Sequence, residues 1–292
     1  MSQVVEKFKI VNRILKNSQF DDNVISIILT HYWSILPKRK ILLDWIDPNK
    51  LAFEALSTNE NAIDLLKDNV DKIDWIYLSS NKNAIRLLEQ HQDKIDWEEL
   101  SENPSAIHLL ENNLDKIDWS SLSTNRNAIN LLQNNLDKVD WFHLCRNKNA
   151  IDIIKKHKKL ICWRALSLNC NAIELLKENI HKIDWLSLSS NTNAIRLLEN
   201  SLDKIDWDLL SVNENAIDLL RKNKNKINWS LLSSNPNAIT LLRDNIDKIN
   251  WSNLSMNLNA INLLKEYQDK INWYSLSSNP SIFKDEDMPK VL

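Results

Sequence analysis

Residues 207–228 read WDLLSVNENAIDLLRKNKNKIN, and the pattern W-x-x-L-S-x-N-x-N-A-I-x-L-L-x-x-N-x-D-K-I-D returns every 22 residues. Trp occupies the first position at 75, 97, 119, 141, 163, 185, 207, 229, 251 and 273, with no insertion or deletion between them. A fixed period of this length marks a solenoid, in which each unit buries its apolar face only against its neighbours. The fold class expected is therefore all-α: an α-solenoid of ten 22-residue two-helix repeats, at 53–272, with caps at both ends.

Within a unit, Asp or Asn at the last position is placed to cap a short first helix, W-x-x-L-S, of α or 3₁₀ type. The Asn two residues beyond the Ser recurs at 59, 81, 103, 125, 147, 169, 191, 213, 235, 257 and 279. The chain contains no glycine, so this Asn is assigned to the left-handed turn that Gly usually serves, with a bond to a neighbouring unit as a second role. The next polar residue, Asn or Ser, is read as the cap of the second helix, A-I-x-L-L. Ala, Ile and Leu recur there at i, i+1 and i+4 as an apolar stripe, and the Ala marks the closest helix approach. Trp is expected to be the largest buried residue of each layer, so that Trp→Ala in a central unit should cost roughly 3–5 kcal/mol. Helix layers about 8–10 Å apart would make the stack a rod or superhelix roughly 80–100 Å long.

Residues 1–52 precede the clear repeat. Residues 4–15 and 23–36 read as amphipathic helices, and Asn49-Lys50-Leu51-Ala52-Phe53 matches D-K-I-D-W. This segment is expected to be an N-terminal helical cap over an open apolar end. At the other end the pattern fails after Asn279, so 273–292 is expected to be a C-terminal cap followed by a poorly ordered tail at 284–292.

The unit D-K-I-D-W-x-x-L-S-x-N-P/x-N-A-I-x-L-L resembles short Trp-containing repeats of giant, mimivirus-like DNA viruses of protists. So do the entry segment Leu42-Leu43-Asp44-Trp45-Ile46-Asp47 and the exit segment Asn279-Pro280-Ser281-Ile282-Phe283. The resemblance spans residues 41–283. It implies a repeat scaffold rather than an enzyme, acting in the cytoplasm of an infected cell or in the virion. It carries no site residues over.

Composition narrows the chemistry. Without glycine, neither a Rossmann fingerprint nor a P-loop can be built. The start, MSQVVEKFKIVNR, lacks the apolar core of a signal peptide, and no apolar run is long enough to span a bilayer. Three cysteines suggest free thiols in a reducing, intracellular setting. The expectation is an intracellular protein, neither secreted nor transmembrane. The recurring Ser is not expected to be a nucleophile, because no base recurs beside it. Cys145, Cys162 and Cys170, with His143, His157 and His181 nearby, lack the C-x-x-C spacing of a zinc site and read as packed thiols. No metal and no other cofactor is expected.

One stretch is irregular. Over 141–164 the D-K-I-D signature becomes Lys159-Leu160-Ile161-Cys162. Arg146, Lys148, Lys155, Lys156, Lys158, Lys159 and Arg164 stand against Asp152 alone, in a chain of formal charge −2. This island is the candidate partner-binding site. It suits an acidic protein or, second, nucleic-acid phosphates, while the plain reading of such a run is a solvated face. The third residue of the second helix runs Asp64, Arg86, His108, Asn130, Asp152, Glu174, Arg196, Asp218, Thr240, Asn262, without a rule. An irregular surface on a regular frame fits another protein better than a regular polymer. The function expected is a non-enzymatic scaffold for protein–protein interaction. The alternatives are a nucleic-acid-binding solenoid and an adaptor that recruits through residues 1–40.

Overall fold

The computed structural model describes residues 3–289. The repeat is the helical solenoid unit expected. Each unit has an A helix such as Trp97–Glu102, a B helix such as Ile107–Glu111, and a short return, in most units a 3₁₀ turn such as Gln92–Lys94. The A helix starts where Asp96 Oδ1 accepts from Glu99 N at 3.0 Å, and Asp or Asn fills that capping role in nearly every unit. Cys162 is an exception and supplies no side-chain cap to Trp163–Ser167.

The recurring Asn column does the second of the two jobs expected, the bond to a neighbouring unit, and not the first, the left-handed turn. No described residue has positive φ. Asn103 sits in extended backbone, φ −70 and ψ 114, so the turn needs neither glycine nor a left-handed residue. Its buried amide instead donates to Ser79 O at 2.9 Å and Asn81 O at 3.1 Å of the preceding unit, while its Oδ1 accepts from Ser105 N at 3.0 Å. The same bonds recur from unit to unit and form a continuous polar ladder through the core. The second Asn is no helix cap either, since the B helices begin at an Ala without side-chain capping. Asn127 Nδ2 donates to Pro104 O of the unit before it, 2.8 Å away. The recurring Ser closes the third connection: Ser101 Oγ donates to Trp97 O and accepts from Asp118 N at 3.1 Å.

The fully buried apolar positions are the A-helix Leu, the Ala, and the second Leu of the B helix, as in Leu122, Ala128 and Leu132. The repeat Trp is only half-buried. It forms a lid, and in most units a Lys of the return lies over the ring, as Lys116 does over Trp97 at 4.6 Å and Lys138 over Trp119 at 4.7 Å. Where an aromatic residue stands five before the residue that precedes the next repeat's Trp, as at His91, His157 and Tyr267, it packs on the Trp of its own unit instead. Trp119→Ala is therefore expected to cost about 2 kcal/mol rather than the 3–5 of a fully buried indole, and Leu122→Ala about 3–4 kcal/mol. Urea melts of the two variants test that order.

The stack does not run out as an open rod. It closes on itself. Unit 53–74, with Phe53 in the Trp place, rests on the last A helix, Trp273–Ser277, as each unit rests on the one before it. Asn59 Nδ2 donates to Ser277 O at 2.8 Å, Asn61 Nδ2 to Pro280 O at 3.0 Å, and Ala52 N to Ser277 Oγ at 2.9 Å. Lys50 lies 5.0 Å over Trp273, the same lid from the other end of the chain. The eleventh unit is thus composite: residues 273–282 supply its first ten positions and residues 41–52 its last twelve. Leu43 N donates to Ile282 O at 2.9 Å, repeating across the break the bond from Leu109 N to Ala106 O. In place of a B helix, strand β1 (Lys40–Leu42) pairs antiparallel with β2 (Phe283–Asp285), in register Lys40 with Asp285 and Leu42 with Phe283.

The two end segments expected as caps meet in this closure, residues 41–52 and 273–285 covering the ends of the stack by joining each other. Residues 273–285 complete the ring. Helices α1 (Gln3–Lys16) and α2 (Asp22–Ile35) form a hairpin with an apolar cluster of its own, Val5, Phe8, Ile25, Leu29 and Trp33, in which Phe8 meets Trp33 edge-on at 5.2 Å. Of the expected disordered tail, Lys284 and Asp285 lie in β2, and residues 290–292 fall outside the described residues. No helix among the described residues is long and apolar enough to cross a membrane.

Candidate interaction surfaces

Closure gives the ring two unlike walls. The A helices of neighbouring units pack closely, while the B helices approach one another much less. The A helices therefore lie on the shorter, inner circumference. Eleven axes about 9 Å apart lie on a circle of about 16 Å radius, and side chains reaching about 5 Å from each axis leave an opening roughly 20 Å across. The second, third and sixth residues of each A helix face this inner wall.

The seven predicted cations do not form one patch. Arg146 and Arg164 belong to A helices, at the sixth and second positions, and so to the inner wall. Lys155 and Lys156 end a B helix, and Lys158 and Lys159 begin the 3₁₀ turn Lys158–Leu160. These four are exposed on the outer side and surround an open cavity of about 650 Å³, shared with His157 and Leu160. Lys148 is exposed in the turn between the A and B helices. A 22-residue unit doubles back on itself, so cations close in sequence separate onto opposite walls. None of the four outer lysines forms an ion pair with a described residue. The substitution that places Lys159 and Leu160 where Asp and Lys usually stand also removes the lid cation from Trp141, and His157 packs on that ring at 5.1 Å, its Nδ1 2.9 Å from Ile153 O.

The cysteines are free. Cys145 takes the structural Ser position, with Sγ accepting from Cys162 N at 3.3 Å, and burial pushes its thiol above the usual range. Among the described residues no three His, Cys, Asp or Glu side chains are gathered to hold a metal. One Ser–His–Asp contact exists on the inner wall. Ser120 Oγ lies 3.0 Å from His143 Nδ1, and the same Nδ1 lies 3.2 Å from Asp140 Oδ1. A relay needs the two ring nitrogens to face opposite partners, whereas here one nitrogen serves both. Asp140 is also the helix cap, accepting from His143 N at 3.0 Å. Burial raises its carboxyl, but the bonds from His143 outweigh that and hold it below the usual range.

Sequence reasoning missed the inner wall where the chain ends meet. Ala55, Thr58, Tyr77, Met256, Tyr274, Ser275 and Ser278, from four consecutive units across the seam, line a cavity of about 180 Å³. These residues are up to 223 positions apart in the sequence, and only closure brings them together. The available signal was the match of 41–52 to the half-unit missing after Ile282.

No protein-family model, no curated protein and no solved structure matches this chain.

Proposed function

We propose that the protein is a non-enzymatic ring scaffold that holds another protein. One observation carries this reading. The repeated polar side chains, Asn, Asn, Ser and the capping Asp, are consumed by bonds inside and between units. What remains exposed varies from unit to unit, which is how a repeat frame presents a recognition surface. The outer face around Lys155, Lys156, Lys158 and Lys159 is the docking site for an acidic partner, because its charges form no ion pair with a described residue and border an open apolar cavity with Leu160. The resemblance to giant-virus repeat proteins supports action in the infected cell or virion.

Capture from such cells, with and without nuclease, tests this. A single dominant protein is expected to persist after nuclease and to be lost when the four lysines are changed to Glu. Capture unchanged by the charge reversal sinks the outer-face site. The unpaired lysines also favour a second reading, nucleic-acid binding. In that case the captured material vanishes with nuclease, and affinity falls steeply with salt.

A further inference from the structure

The inner wall is not uniform around the ring. At the second and sixth A-helix positions small or polar residues are the commonest, such as Ser120, Ser230, Ser252, Thr124 and Ser234, and apolar ones also stand away from the seam at Phe142, Leu168, Leu186 and Val212. At the seam large apolar and aromatic residues gather around a cavity. Ile76, Tyr77, Met256 and Tyr274 are 55, 39, 45 and 52 % exposed, Met256 and Tyr274 on adjoining units and Ile76 and Tyr77 one unit further, beyond unit 53–74. Tyr77, Met256 and Tyr274 line the seam cavity, and Tyr274 is oriented by its hydroxyl, which donates to Glu54 Oε1 at 2.9 Å. Tyrosine and methionine gathered around a concavity are the residue types that anchor protein interfaces.

The flank of this patch is acidic. Glu54 stands between Tyr274 and Tyr77, and the next unit carries Glu98, Glu99 and Glu102. None of these three forms an ion pair with a described residue. Burial, followed by the charges of Glu102, Asp96 and Glu98, raises the Glu99 carboxyl above its usual range, so the cluster repels itself in the free ring. The carboxylates disfavour nucleic acid or an anionic membrane here.

We propose that this part of the inner wall binds a short basic amphipathic α-helix of a partner protein. One large apolar side chain seats among Tyr77, Met256 and Tyr274, and the helix's lysines or arginines meet Glu98 and Glu102. A cavity of about 180 Å³ takes one such side chain and is small for a separate ligand. A helix is about 10–12 Å wide and fits the opening, and its i to i+7 rise of about 10 Å matches the spacing of adjacent units. The proposal rests on the reading of the ring as an interaction scaffold, but not on the outer lysine face.

The test uses the full chain and a labelled amphipathic peptide of Leu, Ala and Lys about 14 residues long. Each variant borrows a residue that another unit already carries at the same position, so the fold is preserved: Tyr274→Ser as at Ser252, Met256→Ser as at Ser234, Glu98→Ser as at Ser120, Glu102→Thr as at Thr124. The double variant Tyr274→Ser/Met256→Ser is expected to weaken the peptide about tenfold or more. Glu98→Ser/Glu102→Thr should weaken it and flatten its salt dependence. A peptide with Glu for Lys should not bind, and charge reversal of the four outer lysines should change nothing. Absence of binding by the Lys peptide, equal binding by the Glu peptide, or indifference to the Tyr274 and Met256 changes overturns the proposal. The outer-face reading is judged separately, by the captured partner and the lysine reversal.

Discussion

A chain ending at Ser278 is expected to melt at least about 10 °C below the full chain and to show a larger radius of gyration. The removed segment contains Asn279, which donates to Ser255 O and Asn257 O at 3.0 Å each, and Ile282 and Phe283, both buried. It also contains Pro280 O, which accepts from Asn61, and all of β2. Loss of two buried apolar side chains and several inter-unit bonds costs on the order of 5–10 kcal/mol. The geometric consequence is larger than in an open solenoid. There, trimming one end leaves the remaining interfaces untouched. Here the removed segment lies inside the seam, and its loss leaves only the direct packing of Trp273–Ser277 on Phe53–Thr58, with the bonds to Ser277 from Asn59 and Ala52, to hold the ring closed while apolar surface is bared beside it. Small-angle scattering with calorimetry decides the matter, and unchanged size and melting would refute closure. A permuted chain gives the converse. Joining residue 285 directly to residue 40, paired neighbours in the β1–β2 ladder, and opening the chain at the exposed Asn112 should restore a ring of the original size.

The difference between rod and ring shows what a periodic sequence carries. Period, unit length and the two helices per unit follow from residue spacing alone, because Leu122, Ala128 and Leu132 must share one side of a short helical pair. Curvature does not follow. It depends on a small rotation per unit, about 33° for closure in eleven, which arises from the packing of neighbouring A helices rather than from any one residue type. The half-units at 41–52 and 273–282 do encode closure, since together they make one full period, but Ile282 in the Ala place and a strand in place of a B helix disguise them as frayed ends. The charged island was legible as composition and illegible as a surface. Arg146 and Lys155 are nine residues apart, yet the turn at Asn147 sends one to the inner wall and the other to the outer. Trp misled for a simpler reason. The largest apolar side chain is the default core residue, but an indole held under Lys116 or Lys138 gains from a cation at its face and can stay half-exposed.

Asn125→Ala is expected to cost about 3–5 kcal/mol, against about 1 kcal/mol for Asn127→Ala two residues away. Asn125 is buried, donates to Ser101 O at 3.0 Å and Asn103 O at 2.9 Å, and accepts from Asn127 N at 3.0 Å. Its truncation strands two carbonyls and one amide where water does not reach. Asn127 is exposed, and the single carbonyl it bonds, Pro104 O, can be hydrated when it is gone. Asn125→Asp should be worse than Asn125→Ala, because a carboxylate would face those two carbonyl oxygens with no donor to offer. Asn125→Gly separates the two accounts of this column. If the Asn served a left-handed turn, glycine would be neutral or stabilising there. In the ladder it removes the same three bonds as Ala and adds backbone freedom to the unfolded chain, so it should cost at least as much as Asn125→Ala. Urea denaturation of the four single variants resolves these differences, and a glycine variant as stable as the original chain would return the column to the turn and remove the ladder as the element that joins the units.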